Sequence, residues 1–218
     1  LAEQFERAGH TVRPLDVRGD PGAVAHVDLV LLDGPLADIR TASELVADYA
    51  RPRQMFLHTA LDEGQQLLDE VETSHAITMC AHNLFDNVWV TSAADELGET
   101  VVGLLITEIG GVSLRINDQA RPLIAAAQEL RAMESVVRDD AMELLTHAVP
   151  DFEAVVQQFL SAPHGQRSAH DPEHLERLVA AVPDPGVKRL FVDLVRRRGE
   201  VDGDTDTELW AIHKYEGG

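Results

Sequence analysis

Cysteine is nearly missing from these 218 residues: Cys80 stands alone. No internal disulfide and no cysteine-rich metal site can form, and a reducing cytoplasm is the compartment this suggests. Cys80 lies in the apolar stretch 76–81 and reads as a buried, inert thiol. Positive charge is scarce as well. The chain has 18 Lys+Arg against 38 Asp+Glu, a formal net charge of −20. A field of that sign repels phosphate backbones, so nucleic acid is not an expected partner. Aromatic residues make up only 5%, so a core must be built from the Leu, Val, Ile and Ala within the 44% hydrophobic fraction. No apolar run approaches the ~20 residues that cross a bilayer. Glu3, Glu6 and Arg7 interrupt any signal-like stretch at the start. No membrane partner is therefore expected. A phosphate-gripping lysine loop and a Ser-His-Asp arrangement are also missing.

What is present is an alternation. Short apolar segments at 27–32, 54–58, 75–81, 88–91 and 112–116 read as strands, and 11–17 reads as a further one. Between them, 36–49, 64–71 and 95–109 have helical spacing, and residues 1–8 read as a helix ending at Gly9. This order predicts an α/β fold: a Rossmann-like, mainly parallel, doubly wound sheet with right-handed crossovers. The opening helix and the strand after it lack the strand and glycine-rich turn that would precede them in such a fold. From Gln119 the strands cease. Residues 121–149 read as one long helix, with Leu123, Leu130, Met133, Val137 and Leu144 on one stripe. Helices over 152–160, 172–182 and 187–198 follow, so the C-terminal domain is expected to be all-helical. The expected divisions are 1–118, 119–200 and an acidic tail over 201–218; 200–208 reads as a solvated linker, and Trp210 and Tyr215 beyond it are candidates to dock the chain end. His164, His170 and His174 cluster near Asp171 and Glu173, but a histidine-rich loop is commoner than a metal site, and no metal is expected.

Five segments carry a resemblance. They are 1–16, 27–35, Phe56-Leu-His-Thr59, Ala81-His-Asn-Leu-Phe85 and 88–91. Taken in order, they resemble the 6-phosphogluconate-dehydrogenase-like superfamily of NAD(P)-dependent oxidoreductases. The nearest groups are the prephenate and arogenate dehydrogenases and a set of Rossmann-like oxidoreductases. The resemblance covers about residues 1–118, and the helical half matches in kind only. It implies an N-terminal cofactor domain, with Asp16 at the second strand's end meeting the adenosine ribose. Arg18 could instead meet a 2′-phosphate, so NAD and NADP both remain open, with the balance toward NAD. Asp33, Gly34 and Pro35, with His58 and Thr59, fall at the strand ends where such sheets bind ligands.

The resemblance also implies a histidine base. In prephenate-type enzymes a His-Pro dipeptide follows the strand matching 76–81, and the histidine takes a proton from a substrate hydroxyl as hydride leaves. Here His82 occupies that place but is followed by Asn83. The superfamily's other chemistry uses a lysine and an asparagine on the long helix. The chain's only lysines, Lys188 and Lys214, are far from that helix's start. Asn87 is expected to flank the substrate, and Arg121, Arg131 and Arg138 are candidates to hold a carboxylate. The leading expectation is a cytoplasmic NAD(P)-dependent dehydrogenase acting on a small hydroxy- or carboxylate-bearing molecule, with a helical stripe broad enough to allow a homodimer. The alternative is a binding or regulatory module that keeps the fold without turnover.

Overall fold

A computed structural model of the chain describes residues 1–161 and 171–216. It divides into two compact units, Leu1–Arg131 and Ala132–Gly218.

The first unit is α/β. After α1 (Ala2–Arg7) come β1 (Leu29–Leu32), α2 (Leu36–Val46), β2 (Met55–His58), α3 (Asp69–Glu72), β3 (Ile77–Phe85), β4 (Val88–Ala93), α4 (Glu96–Glu108), β5 (Val112–Arg115) and α5 (Arg121–Ala132). The strands form one sheet in the order β1-β2-β3-β4-β5. Leu29–Leu32 run parallel to Met55–His58, and these run parallel to Ile77–Cys80. Successive side chains point to opposite faces, which separates two cores. Phe56 joins Val30, Ile39, Val46, Leu68 and Val71 under α2 and α3. Leu57 joins Phe5, Met79, Trp89, Val102 and Ile106 under α1 and α4. Each fully buried side chain of this size contributes roughly 1.5–3 kcal/mol. α4 starts where Asp95 accepts the Gly98 amide at 2.7 Å. Gly98 is required there, because a Cβ would lie 2.8 Å from that of Ala93.

Three expectations need correction in this unit. β3 and β4 form an antiparallel hairpin, not a further parallel crossover. Only Asp86 and Asn87 separate them, and Asp86 takes φ 46°, a turn conformation that Asp tolerates. Pairing with β4 also carries β3 past Ala81, so His82 lies within the strand and does not follow it. The segment 11–17 is not a strand. Among the described residues no backbone amide from Thr11 to Val17 has a backbone acceptor, and Pro14 has no amide to give. A strand exists only as a pair, and this segment has no partner.

The second unit is helical, with α6 (Glu134–Ala148), α7 (Val156–Ser161), α8 (Pro172–Ala181), α9 (Pro185–Asp202) and α10 (Thr205–Glu216). The expected single helix over 121–149 is broken at Met133. The Ser135 hydroxyl donates to the Ala132 carbonyl at 2.9 Å, and the Val136 amide donates to the Met133 carbonyl instead. Asp171 and Asp184 each cap a helix that opens on proline, Pro172 and Pro185. Leu175, Val179, Val192, Val195, Trp210 and Ala211 form the core.

The acidic stretch 200–208, expected as a solvated linker, is mostly exposed but helical, forming the end of α9 and the start of α10. Gly203, at φ 69°, closes α9. Asp204 then accepts the Thr207 amide and hydroxyl at 3.2 and 2.6 Å. Those bonds hold its carboxyl below the usual range. Trp210 docks as expected, donating to Glu176 at 3.3 Å, while the Tyr215 side chain lies outside the described residues. His164 and His170 also lie outside them, and among the described residues no group of three His, Cys, Asp or Glu could hold a metal. No helix there is long and apolar enough to cross a membrane.

Candidate active site

The carboxyl ends of β1, β2 and β3 lie side by side because these strands are parallel neighbours. Each delivers one polar group from the residue that ends or extends it. The Thr59 hydroxyl donates to Asp33 Oδ1 at 2.8 Å. The Thr59 amide donates to the Leu32 carbonyl, continuing the ladder past β2. His82 Nδ1 lies 2.9 Å from the Thr59 carbonyl oxygen. A carbonyl oxygen only accepts, so Nδ1 carries a proton, and whenever the ring is neutral Nε2 is its proton-accepting nitrogen. A register shift between Asn83 and Phe85 bends β3 just beyond this histidine, as bulges beside sites often do. Asp33, Thr59 and His82 are thus brought together as a chain of hydrogen bonds. Gly34, at φ 147°, has no atom within 4 Å of where a Cβ would lie, and Pro35 opens α2. The backbone between Asp33 and α2 is therefore open to a ligand.

Asp16, Arg18 and Asp33 share a different feature. All three line a groove of about 1400 Å³ that runs along the outer edge of β1, between Leu29–Leu32 and residues 10–18. This exceeds the ~300–1000 Å³ of ordinary ligand pockets. On its groove side β1 pairs with no strand among the described residues. Asp16 is not at a strand end, and its Oδ1 instead accepts the amides of Arg18 and Gly19 at 3.2 and 3.1 Å. Arg18 reaches Asp38 at 3.3 Å.

Three expected site residues are elsewhere. His58 is fully buried and its Nε2 donates to the Gly64 carbonyl at 3.0 Å, so it is not available to a cofactor. Arg121 is 3% exposed. Its guanidinium bonds Asp118 at 2.7 Å, the Leu61 carbonyl at 3.2 Å, Cys80 Sγ at 3.4 Å and Ser92 at 2.5 Å, which leaves it no reach for a substrate. It is expected as a carboxylate anchor from the helical half; its position at the start of α5 turns it into the sheet instead. Asn87 gives its amide to the Gly110 carbonyl at 3.1 Å, bracing the hairpin tip. Cys80 is buried as expected, and burial pushes its thiol up. Sequence reasoning missed Gln128, whose Oε1 lies 3.2 Å from His82 Nε2. Its signal was spacing: Gln128 is seven residues after Arg121, on the same face of α5.

Burial also lowers His58, to about 4 from an ordinary 6.5. Between these values the unfolded chain binds a proton that the folded chain does not, so stability must fall as pH drops through this window. The full effect, about 3 kcal/mol, is reached near pH 4. His58→Gln should lack this slope. Urea midpoints of both chains at pH about 7 and about 4 provide the check, and parallel pH profiles would refute it.

Comparison with known proteins adds the following. Residues 117–214 match the family model described as 6-phosphogluconate dehydrogenase C-terminal domain-like. No curated protein matches the sequence. Among solved structures, a protein of Mycobacterium avium 104, provisionally described as an oxidoreductase, is 15% identical with a TM-score of 0.53, covering 98% of this chain and 83% of that one. The prephenate dehydrogenase of Aquifex aeolicus is 13% identical with a TM-score of 0.47, over 99% and 92% of the two chains. The arogenate dehydrogenase of Synechocystis is 12% identical with a TM-score of 0.49, over 99% and 83%. At such identities the first likeness is one of fold, and the other two, below 0.5, add nothing to it. The fold is therefore α/β, a five-stranded, mostly parallel sheet followed by helices of the 6-phosphogluconate-dehydrogenase C-terminal kind.

Proposed function

We propose that the chain is an NAD(P)-dependent oxidoreductase that moves a hydride to or from a small hydroxy- or carboxylate-bearing molecule. The observation that carries this reading is the chain Asp33–Thr59–His82, assembled at the carboxyl ends of three parallel strands. Open α/β sheets bind their ligands at that edge. His82 would take the hydroxyl proton on Nε2, with the Thr59 carbonyl holding the ring's other nitrogen. Asp33 would keep Thr59 in place through its hydroxyl. The nicotinamide, when bound, supplies the hydride acceptor or donor.

The residues present fit a dinucleotide in part. Asp16 would meet the ribose hydroxyls with the oxygen its turn leaves over, and open space at Gly34 would let the cofactor approach the backbone. Arg18 is engaged by Asp38, which favours NAD over a 2′-phosphate. That pair is exposed and worth at most about 1 kcal/mol, so the preference should be small. The groove beside β1 suits a further strand leading into a glycine-rich turn. Titration with NADH and NADPH, followed by nicotinamide fluorescence, should show binding with NADH the tighter. Binding of neither would favour the non-catalytic module, a reading that the burial of Arg121 also supports, since it removes one expected carboxylate anchor.

A homodimer through the helical half belongs to the same proposal. α6 buries none of its residues, and Val136 and Val137 are 51% and 38% exposed. Sedimentation velocity at micromolar concentration should give a dimer, and a monomer would remove this part. A cytoplasmic location fits the single buried cysteine, and cell fractionation checks it.

A further inference from the structure

Both nitrogens of His82 already have neighbours: Nδ1 has the Thr59 carbonyl, and Nε2 has the Gln128 amide at 3.2 Å. A substrate hydroxyl can therefore reach Nε2 only where Gln128 now stands. We propose that Gln128 is a specificity-determining residue of this site, holding the seat of the reacting hydroxyl on His82 and yielding it to a group that donates a hydrogen bond. The inference rests on the reading of His82 as the base.

The donor and acceptor arithmetic supports exchange. With Nδ1 protonated, Nε2 of the neutral ring accepts. On its other side the Gln128 amide faces the carbonyls of Asn83 and Leu84, at 3.4 and 3.5 Å. All of these neighbours accept, but they stand on two sides of one amide, which has donors only at its nitrogen end. With the oxygen toward Nε2, the orientation the structure shows, the contact is a hydrogen bond only when the ring carries both protons; on the neutral ring two lone pairs oppose each other. With the nitrogen toward Nε2, the oxygen faces two carbonyls. Rotation about the last bond interchanges these states, and on the neutral ring neither satisfies every group. A hydroxyl donating to Nε2 resolves the conflict. It supplies the donor the ring lacks and leaves the amide nitrogen to Asn83 and Leu84. The bonds to these carbonyls are at the long limit of hydrogen bonding, so the side chain is loosely held and can move. A group without a hydrogen to donate, such as an ether or a ketone, gains nothing at this position.

Carbethoxylation tests this without any cofactor, because diethyl pyrocarbonate attacks an unprotonated ring nitrogen and Nε2 is the one available. Peptide mapping by mass spectrometry would follow His82, with exposed His75 and His213 as references. Gln128→Ala and Gln128→Leu should each speed modification of His82 by about 2- to 10-fold, the scale of removing one polar contact from the attacked nitrogen, and leave the references unchanged. Leucine keeps the bulk and removes the amide. An effect from alanine alone would mean simple shielding and would overturn the proposal. So would no change in either variant, or a parent His82 that reacts as fast as His75. Failure of cofactor binding would sink the oxidoreductase reading instead, so the two failures are distinguishable.

Discussion

Arg121→Ala should destabilise the first unit by about 3–5 kcal/mol, the range for removing one partner of a buried ion pair. The side chain is 3% exposed and ties four separate parts of the unit: Asp118 before α5, Leu61 after β2, Cys80 on β3 and Ser92 on β4. Truncation leaves the Leu61 carbonyl and the Ser92 hydroxyl without that donor, and each buried orphan costs roughly 1–3 kcal/mol. It also opens a void under α5. Arg121→Lys should recover only part of the loss, because an ammonium cannot reproduce a planar fork reaching several acceptors at once. Urea unfolding followed by circular dichroism measures both variants. An alanine variant as stable as the parent would show that the four contacts contribute nothing net. A large loss with intact cofactor binding at low temperature would separate this structural role from any role in the site.

The same arginine shows where reading the sequence stops. The strands around Leu29, Leu57 and Val90 were legible because a continuous apolar run between turn residues has few other uses. They lie in one sheet, as the alternation predicts. Strand direction was not legible. The pair Asp86-Asn87 between two apolar runs is a hairpin signal, yet a short loop was read as part of a crossover. The segment 11–17 has strand-like composition, but strand state is a property of pairing, which spacing along one chain does not contain. His58 is a ligand candidate because it ends a strand at the ligand-binding edge, and Arg121 because the helical half is expected to supply a carboxylate anchor. Here each turns inward to satisfy buried backbone or side-chain partners. Asp33, Thr59 and His82 were legible because parallel topology alone places consecutive strand ends together. Gln128 was not, since its role depends on α5 lying over β3, a tertiary fact.

His82→Gln should lower turnover by about 10²- to 10⁴-fold, the contribution typical of a positioned general base. Glutamine fills similar space and can still donate to the Thr59 carbonyl, so the fold and the position of β3 should be kept. What it cannot do is take a proton. Cofactor affinity should therefore be unchanged while the rate of hydride transfer collapses, a pattern expected when an interaction is lost only in the transition state. The assay is nicotinamide absorbance over a panel of small hydroxy- and keto-carboxylates. If Nε2 is the proposed base, His82→Ala should regain part of the rate when imidazole is added to the buffer, whereas a purely structural histidine would not be rescued this way. Asp33→Asn provides the contrast. It keeps an acceptor for the Thr59 hydroxyl at 2.8 Å, so it should disturb the base far less than loss of the ring itself. Equal turnover in parent and His82→Gln would dismiss the base. A parent chain that binds NADH but turns over nothing on the panel would leave the cofactor site standing and remove the catalytic role from this histidine.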